Sequence, residues 1–209
     1  MLKIYHRQIL REALQKRVSS QALRIIEEAN VGQDALRGQI RHDEYHFDNN
    51  AFEESYAYIA RNRALIPPAL ARGDAKSAWQ AFGRLSHTAQ DFYAHSNYIR
   101  LWLAQFDEGN APPVPEVAHA DPAFLRHPKL VSGKLYYPLE AFSFIPALKK
   151  HVLPRLPKDS HAWMNLDSPE QGFQFDYAYK AAIKRTKDEW QKIAAALHKK
   201  EKLLFQGAC

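Results

Sequence analysis

The chain lacks most of the features that fix a protein's class quickly. One cysteine, Cys209, stands at the last of 209 positions, which excludes an internal disulfide framework and a thiolate metal centre. Any metal must be held by nitrogen and oxygen. No run approaches the roughly 18 consecutive apolar residues of a membrane-spanning helix, so no transmembrane segment is expected. The eight glycines are scattered and none forms a G-x-G-x-x-G, which removes the phosphate-cradling loops. No Ser-His-Asp or Cys-His arrangement suggests a protein nucleophile, and no internal repeat or low-complexity tract appears. The opening stretch MLKIYHRQILREALQKR interrupts its apolar positions with charges and has no small-residue cleavage site. It does not read as a signal peptide, so the expectation leans to a cytoplasmic location, or to secretion if the chain is a mature form.

What is present is an ordinary globular composition, with 46% hydrophobic and 25% charged residues. That supports one domain over residues 1–209, with about 200–209 expected as a flexible tail. The net charge of +6 favours anionic partners such as phosphates, nucleic acid or lipid headgroups. The basic residues are dispersed, apart from HKKEKLL near the end, as on a solvated face.

Helix signals dominate and strand signals are poor. IYHRQILREALQKRV places Ile4, Ile9, Leu10 and Leu14 near one face. Ser20 is positioned to cap QALRIIEEAN, which stops at Gly32. AFEESYAYIARNRALI should run helical until Pro67 and Pro68 end it. Asp74 caps the longest candidate, from about Ala75 to Ser96. Residues from Asp107 to about Pro138 carry six prolines and read as a long ordered loop, a feature uncommon unless functional. LEAFSFIPALKKHVL reads as a helix bent at Pro146, and a strong helix follows Pro169. The fold class is all-α.

Within the longest helix lies SHTAQDFYAHSN, where His87, Asp91 and His95 recur every four residues. A four-residue step advances about 400°, so the three fan across about 80° of one face, with Cα atoms spanning roughly 12 Å. One ion with bonds near 2 Å can join two of them but not all three. The spacing therefore points to two or more ions in a row, with Asp91 bridging as only a carboxylate can. The alternative is a helix whose polar residues coincide by chance. Phe92, Tyr93 and Ala94 suggest burial, and a buried unpaired Asp is costly unless a cation satisfies it. Upstream, IRHDEYHFDNN holds His42, Asp43, His46 and Asp48; one of the histidines is expected as a ligand, the carboxylates as caps or solvated groups. Read locally, Asp34 serves equally as a cap and His6 as a surface histidine.

HRQILREAL, NVGQD, HFDNNAFEES and AFGRLSHTAQDFYAHSN, in this order and spacing, resemble the zinc-dependent phospholipase C and single-strand nuclease superfamily, closest to its heterokaryon-incompatibility-C-like branch. The resemblance implies a single-domain helical bundle of the zinc-dependent phospholipase C type, cradling two or three Zn2+ ions. Carried over residue by residue, it implies Asp34, His46 and His87 on a first ion and Asp91 bridging. His95 and His161 would hold a second ion, and His6 a third. Three departures stand out. His95 lies closer to the bridging aspartate than in the phospholipases. Asn165 stands where they place a carboxylate, leaving Asp167 as the substitute. Met1 precedes His6 by five residues, where those enzymes use a terminal amine as ligand.

The expected activity is that of a zinc-dependent phosphoester hydrolase, phospholipase C-like, using metal-bound hydroxide with Asp34 orienting the water. Phospholipid is the first substrate reading, with peripheral membrane contact through Tyr136, Tyr137, Phe142 and Phe144. The alternatives are a single-strand nuclease, with Tyr93, Tyr98 and Trp102 as stacking candidates, and a non-catalytic metal-stabilised interaction module.

Overall fold

The structure, a computed structural model, describes residues 1–35, 42–107, 109–143 and 145–208. Phe144 and Cys209, both singled out above, lie outside the described residues. The described residues are mostly helical, and two isolated bridges, Ser96 to Ser132 and Lys134 to Ser160, are the nearest approach to sheet among them. No helix among them is long and apolar enough to cross a membrane.

The fold is organised around one helix, α5 (Ala75–His95), which packs against α2 (Ser20–Val31), α4 (Phe52–Ala71) and α11 (Gln174–Ala196). Helix α1 (Lys3–Leu14) lies across α2 and α11. Asp74 caps α5 by accepting a hydrogen bond from the Ser77 N–H at 3.0 Å. From Leu85 to His95 every residue of α5 is buried. Its close approach to α2 needs Gly83, where an added Cβ would meet Ile26 O at 2.5 Å and Ala29 Cβ at 2.8 Å. The surrounding core includes Ile9, Leu10 and Leu14 of α1, Ile26 of α2 and Ile59 and Ile66 of α4, all essentially inaccessible to solvent.

Three local expectations change. Ser19, not Ser20, caps α2, accepting from the Ala22 N–H at 3.2 Å. Pro67 and Pro68 do not end α4, which runs on to Ala71. Both prolines face solvent while Ile66, Ala69 and Leu70 are buried, so core packing outweighs the lost backbone bonds. Within the stretch expected as a flexible tail, Lys199–Gln206 form α12, which folds back because Phe205 stacks on Trp190 at 4.0 Å and is fully buried. Trp79 Nε1 anchors it further by donating to Phe205 O at 2.7 Å.

The long Pro-rich connection carries only short helical turns, among them α7 (Pro122–Leu125) after α6 (Tyr98–Leu103). LEAFSFIPALKKHVL forms two short helices, α8 (Leu139–Ser143) and α9 (Pro146–Val152), not one bent helix. They build a satellite apolar cluster of Val152, Leu156 and Ala162, packed by Tyr136, Leu139, Leu153 and Trp163 and separate from the main core.

Candidate metal centre

Asp91 is the centre of the site. It is fully buried, and its two carboxylate oxygens face different sets of partners. Oδ2 lies 2.9 Å from His46 Nδ1 and 3.0 Å from His87 Nε2, and those two ring nitrogens are 3.1 Å apart. Asp34 Oδ1 stands 3.7 Å from His87 Nε2 on the same side. Oδ1 lies 2.6 Å from the Met1 amino nitrogen and 3.2 Å from His6 Nε2, with His95 Nε2 at 3.9 Å. A second cluster adjoins. His95 Nε2 is 3.1 Å from Asp167 Oδ1, and His161 Nε2 is 3.8 Å from Asp167 Oδ2.

The structure thus brings together His6, Asp34, His46, His87, Asp91, His95 and His161. Several local devices deliver them. Helix α5 supplies the four-residue stripe, and α1 lays His6 beside it. His46 ends α3 (Asp43–His46), a single turn closed by Phe47 in the left-handed region at φ 58°. A bulky residue rarely adopts that conformation. Here it is held because the Phe47 ring is fully buried against Phe52, Tyr56 and Phe92. Asn49 and Asn50 follow with φ of 53° and 59°, as asparagines more readily do.

Ring orientations are set by partners on the far nitrogens. Gln90 Oε1 accepts from Asn30 Nδ2 at 3.2 Å, so His6 Nδ1, 2.6 Å away, is the donor and His6 Nε2 keeps its lone pair toward Asp91. His95 Nδ1 donates to His46 O at 2.9 Å, and His161 Nδ1 donates to Asp48 Oδ1 at 2.9 Å. Asp48 Oδ1 also lies 3.4 Å from His95 Nδ1. A three-residue group of Asp48, His95 and His161 is close enough to hold an ion by itself. The ring geometry assigns Asp48 differently: it occupies the Nδ1 edges, and the Nε2 edges turn toward Asp167. Asp48 orients; Asp167 faces the cleft. A neutral imidazole whose far nitrogen is bound to a carboxylate is the arrangement metal-ligating histidines adopt.

A strap from Val131 to Leu135 locks these segments together. Gly133 N–H donates to His95 O at 3.0 Å, and Gly133 O accepts from Asn49 N–H at 2.9 Å. Lys134 O accepts from His161 N–H at 2.8 Å, and Leu135 N–H donates to Asn49 Oδ1 at 2.8 Å. A Cβ on Gly133 would meet His161 Cα at 2.6 Å, so only glycine lets the strap pass.

Electrostatics divide the cluster. Burial, reinforced by neighbouring His6 and resisted by Asp91, pushes His87 down to about 4. Burial would also lower His161, but Asp48 and Asp167 raise it to about 9. His95 is likewise held well above its usual value, against its burial, by Asp91 and Asp48. Asp91, Asp48 and Asp167 are all held well below the ordinary carboxylate range by the cations beside them, despite burial that acts the other way. Burial acts to lower the Met1 amine as well, and Asp167, Asp91 and Asp34 raise it to about 11.

A cavity of about 250 Å³ opens onto the cluster, lined by Asp34, His46, Asp48, His95, His161 and Asp167, with Leu2, Lys3, Leu135 and Tyr137 at its rim. Four buried atoms in the cluster have no hydrogen-bond partner among the described residues: His6 Nε2, His46 Nε2, His87 Nδ1 and Asp34 Oδ2. Such groups are costly when left unsatisfied. A cation beside Asp91 would meet His6 Nε2, whereas His46 Nε2 and His87 Nδ1 lie on the ring edges turned away from Asp91.

Asp48, Gln90 and the strap were not legible as site residues. Asp48 sits in a turn-like DNN stretch that reads as a solvated cap, yet it is buried. Tyr93, Tyr98 and Trp102 are not a stacking platform, since all three are core residues. Tyr136 is tied into the satellite cluster and donates to Asp159 Oδ1 at 2.8 Å, whereas Tyr137 and Phe142 are exposed.

No curated protein and no solved structure matches the chain. The family model of the VWA7 N-terminal domain matches residues 3–123, a span that includes His6, Asp34, His46, Asp48, His87, Asp91 and His95 but not His161 or Asp167. This match overturns the resemblance to the zinc-dependent phospholipase C and nuclease superfamily. The physical source of that resemblance is the stripe itself, because any helix offering donors to ions in a row repeats them every four residues. With more than half of its length matched, the chain belongs to the VWA7 N-terminal domain family.

Proposed function

We propose that the chain is a metal-dependent phosphoester hydrolase built on a shared Asp91. One observation carries the reading: a buried carboxylate, Asp91, ringed by histidine and carboxylate donors beside an open cavity, with ligand atoms of His6, Asp34, His87 and Asp91 all within 4.8 Å of one another. The donor set is histidine and aspartate only, which suits Zn2+. Asp34, His46, His87 and Asp91 Oδ2 would hold one ion. His95, His161, Asp167 and Asp91 Oδ1 would hold a second, and His6 with Asp91 Oδ1 a third.

Zinc in such a cluster acidifies bound water and neutralises phosphoryl oxygens. The chain's own residues do the rest. Asp34, with Oδ2 unpartnered and its side chain reaching the cavity, accepts a proton from the attacking water and orients it. Lys3 at the rim attracts the anionic ester. Gln90 and Asp48 keep the His6 and His161 rings in the tautomers that point Nε2 inward. The stacking candidates Tyr93, Tyr98 and Trp102 are buried, so these three offer no surface to a nucleic-acid strand.

Protein purified without added metal should carry two or three zinc ions per chain by elemental analysis. It should also hydrolyse a chromogenic phosphodiester, with activity lost to chelator and restored by zinc. Asp91→Asn should lose metal and turnover together. A variant that keeps both removes the shared-carboxylate reading, and metal binding without turnover leaves the non-catalytic module.

A further inference from the structure

We propose that the outer face of α8 and α9, together with the rim of the cavity, docks on an anionic lipid bilayer. Five of the ten large hydrophobic side chains exposed among the described residues gather there: Leu2, Tyr137, Phe142, Ile145 and Leu148. Leu2 and Tyr137 line the mouth of the main cavity. Phe142, Ile145 and Leu148 flank Ser143 and Lys149, which line an adjoining cavity of about 250 Å³ that shares Leu2, His161 and Asp167 with the first. The apolar rim and the metal-ligand cluster therefore open toward the same side.

The charge of this face selects its partner. Between residues 139 and 158 the sequence holds Lys149, Lys150, Arg155 and Lys158 but one carboxylate, Glu140. Glu140 is fully buried, with Oε1 accepting from the Ala162 N–H at 2.6 Å. The exposed charge of the segment is therefore cationic. Glu170 and Asp167 at the adjoining cavity are the opposing carboxylates on the rim. Aliphatic side chains beside lysines insert at the headgroup boundary of an anionic leaflet, where apolar burial and electrostatic attraction add. Nucleic acid would instead be met by exposed rings able to stack. Tyr137 and Phe142 alone among the five are aromatic, and a bilayer uses Ile145, Leu148 and Leu2 as well. α8 and α9 belong to the satellite cluster, so the contact leaves the main helical core undisturbed.

The inference relies on the hydrolytic reading for what it brings to the cavity, not for the contact itself. The test is co-sedimentation of the whole chain with vesicles of phosphatidylcholine alone or mixed with phosphatidylserine, beside hydrolysis of a soluble chromogenic phosphodiester. The wild type should sediment with the mixed vesicles at low salt and less at high salt. Lys150→Gln should weaken retention about fivefold. Ile145→Ser combined with Leu148→Ser should weaken it about tenfold or more. Both variants should keep the melting temperature and the soluble-ester activity of the wild type, since these side chains are exposed and touch no ligand.

A wild type that stays in the supernatant overturns the docking proposal. So does retention unaffected by either variant, or capture of a single-stranded oligonucleotide where vesicles fail. Vesicle binding without any ester turnover removes the hydrolytic reading and leaves the docking in place.

Discussion

The two halves of the cluster use the same residue types to opposite electrostatic ends. On the Asp34 side, His87 is neutral near pH 7 and its partners Asp34 and His46 retain unsatisfied atoms. On the Asp167 side, His95 and His161 carry protons and are ion-paired with Asp48 and Asp167. The first half therefore holds a neutral ring in His87, and the second holds protonated rings beside two carboxylates. Each ring meets two carboxylates, Asp91 and Asp34 at His87 and Asp48 and Asp167 at His161, so carboxylate count does not separate them. At His87 burial, helped by His6, outweighs the carboxylates, and at His161 the carboxylates outweigh burial. An ion entering the second half must displace protons, and one entering the first need not.

The largest expected consequence is a pH limb that belongs to one half only. The His161 value in the fold, about 9, lies above the usual 6.5. Its protonated ring therefore stabilises metal-stripped protein fully below about pH 6.5, and the contribution disappears as pH rises through about 9. Thermal melts should show a loss of up to about 3 kcal/mol across that window. Asp48→Asn should flatten this limb. An alkaline limb of the same depth in Asp48→Asn would mean the two halves do not differ as described. His87 acts on the other side: with its value depressed to about 4, its contribution is present above about 6.5 and lost as pH falls through 4.

A substitution in the strap should sharpen the contrast next. Gly133→Ala forces a clash with the His161 backbone, and the strap's own bond to α5 is made only at His95, a residue of the second half. Metal titration should show the second half weakened about 10- to 100-fold, as for loss of a supporting contact, with the first half unchanged. Equal weakening of both would show that the strap supports the whole cluster.

The smallest effect is a proton count. Zinc titrated calorimetrically near pH 7.5, in buffers of different ionisation enthalpy, should release roughly two protons for the second half and close to none for His87. Equal release in both steps would erase the distinction.

How far the sequence reached follows from what is local. The stripe of His87, Asp91 and His95 is a property of helical periodicity, so its shared face was legible from spacing alone. Helix α11 and the Asp74 cap were legible for the same reason. The continuation of α4 through Pro67 and Pro68 was not, because the compensation is burial of Ile66, Ala69 and Leu70 against other helices. Nor was α12, whose stability rests on Phe205 meeting Trp190 and Phe82 from earlier in the chain. Asp48 was misread for a related reason. Nothing near it in sequence reveals that His161, 113 residues away, turns its Nδ1 toward it.

By itself the sequence determined the chemistry of the donors, their helical register along α5, the absence of thiolate ligands and the all-α class, since each follows from residue identity and local period. Only the tertiary structure decided which carboxylates face the Nε2 edges of the histidines and which cover their Nδ1 edges. That choice depends on which edge of each imidazole a distant segment covers. It also set the protonation of the histidines, because the balance between burial and nearby carboxylates is a property of packing, not of sequence neighbours.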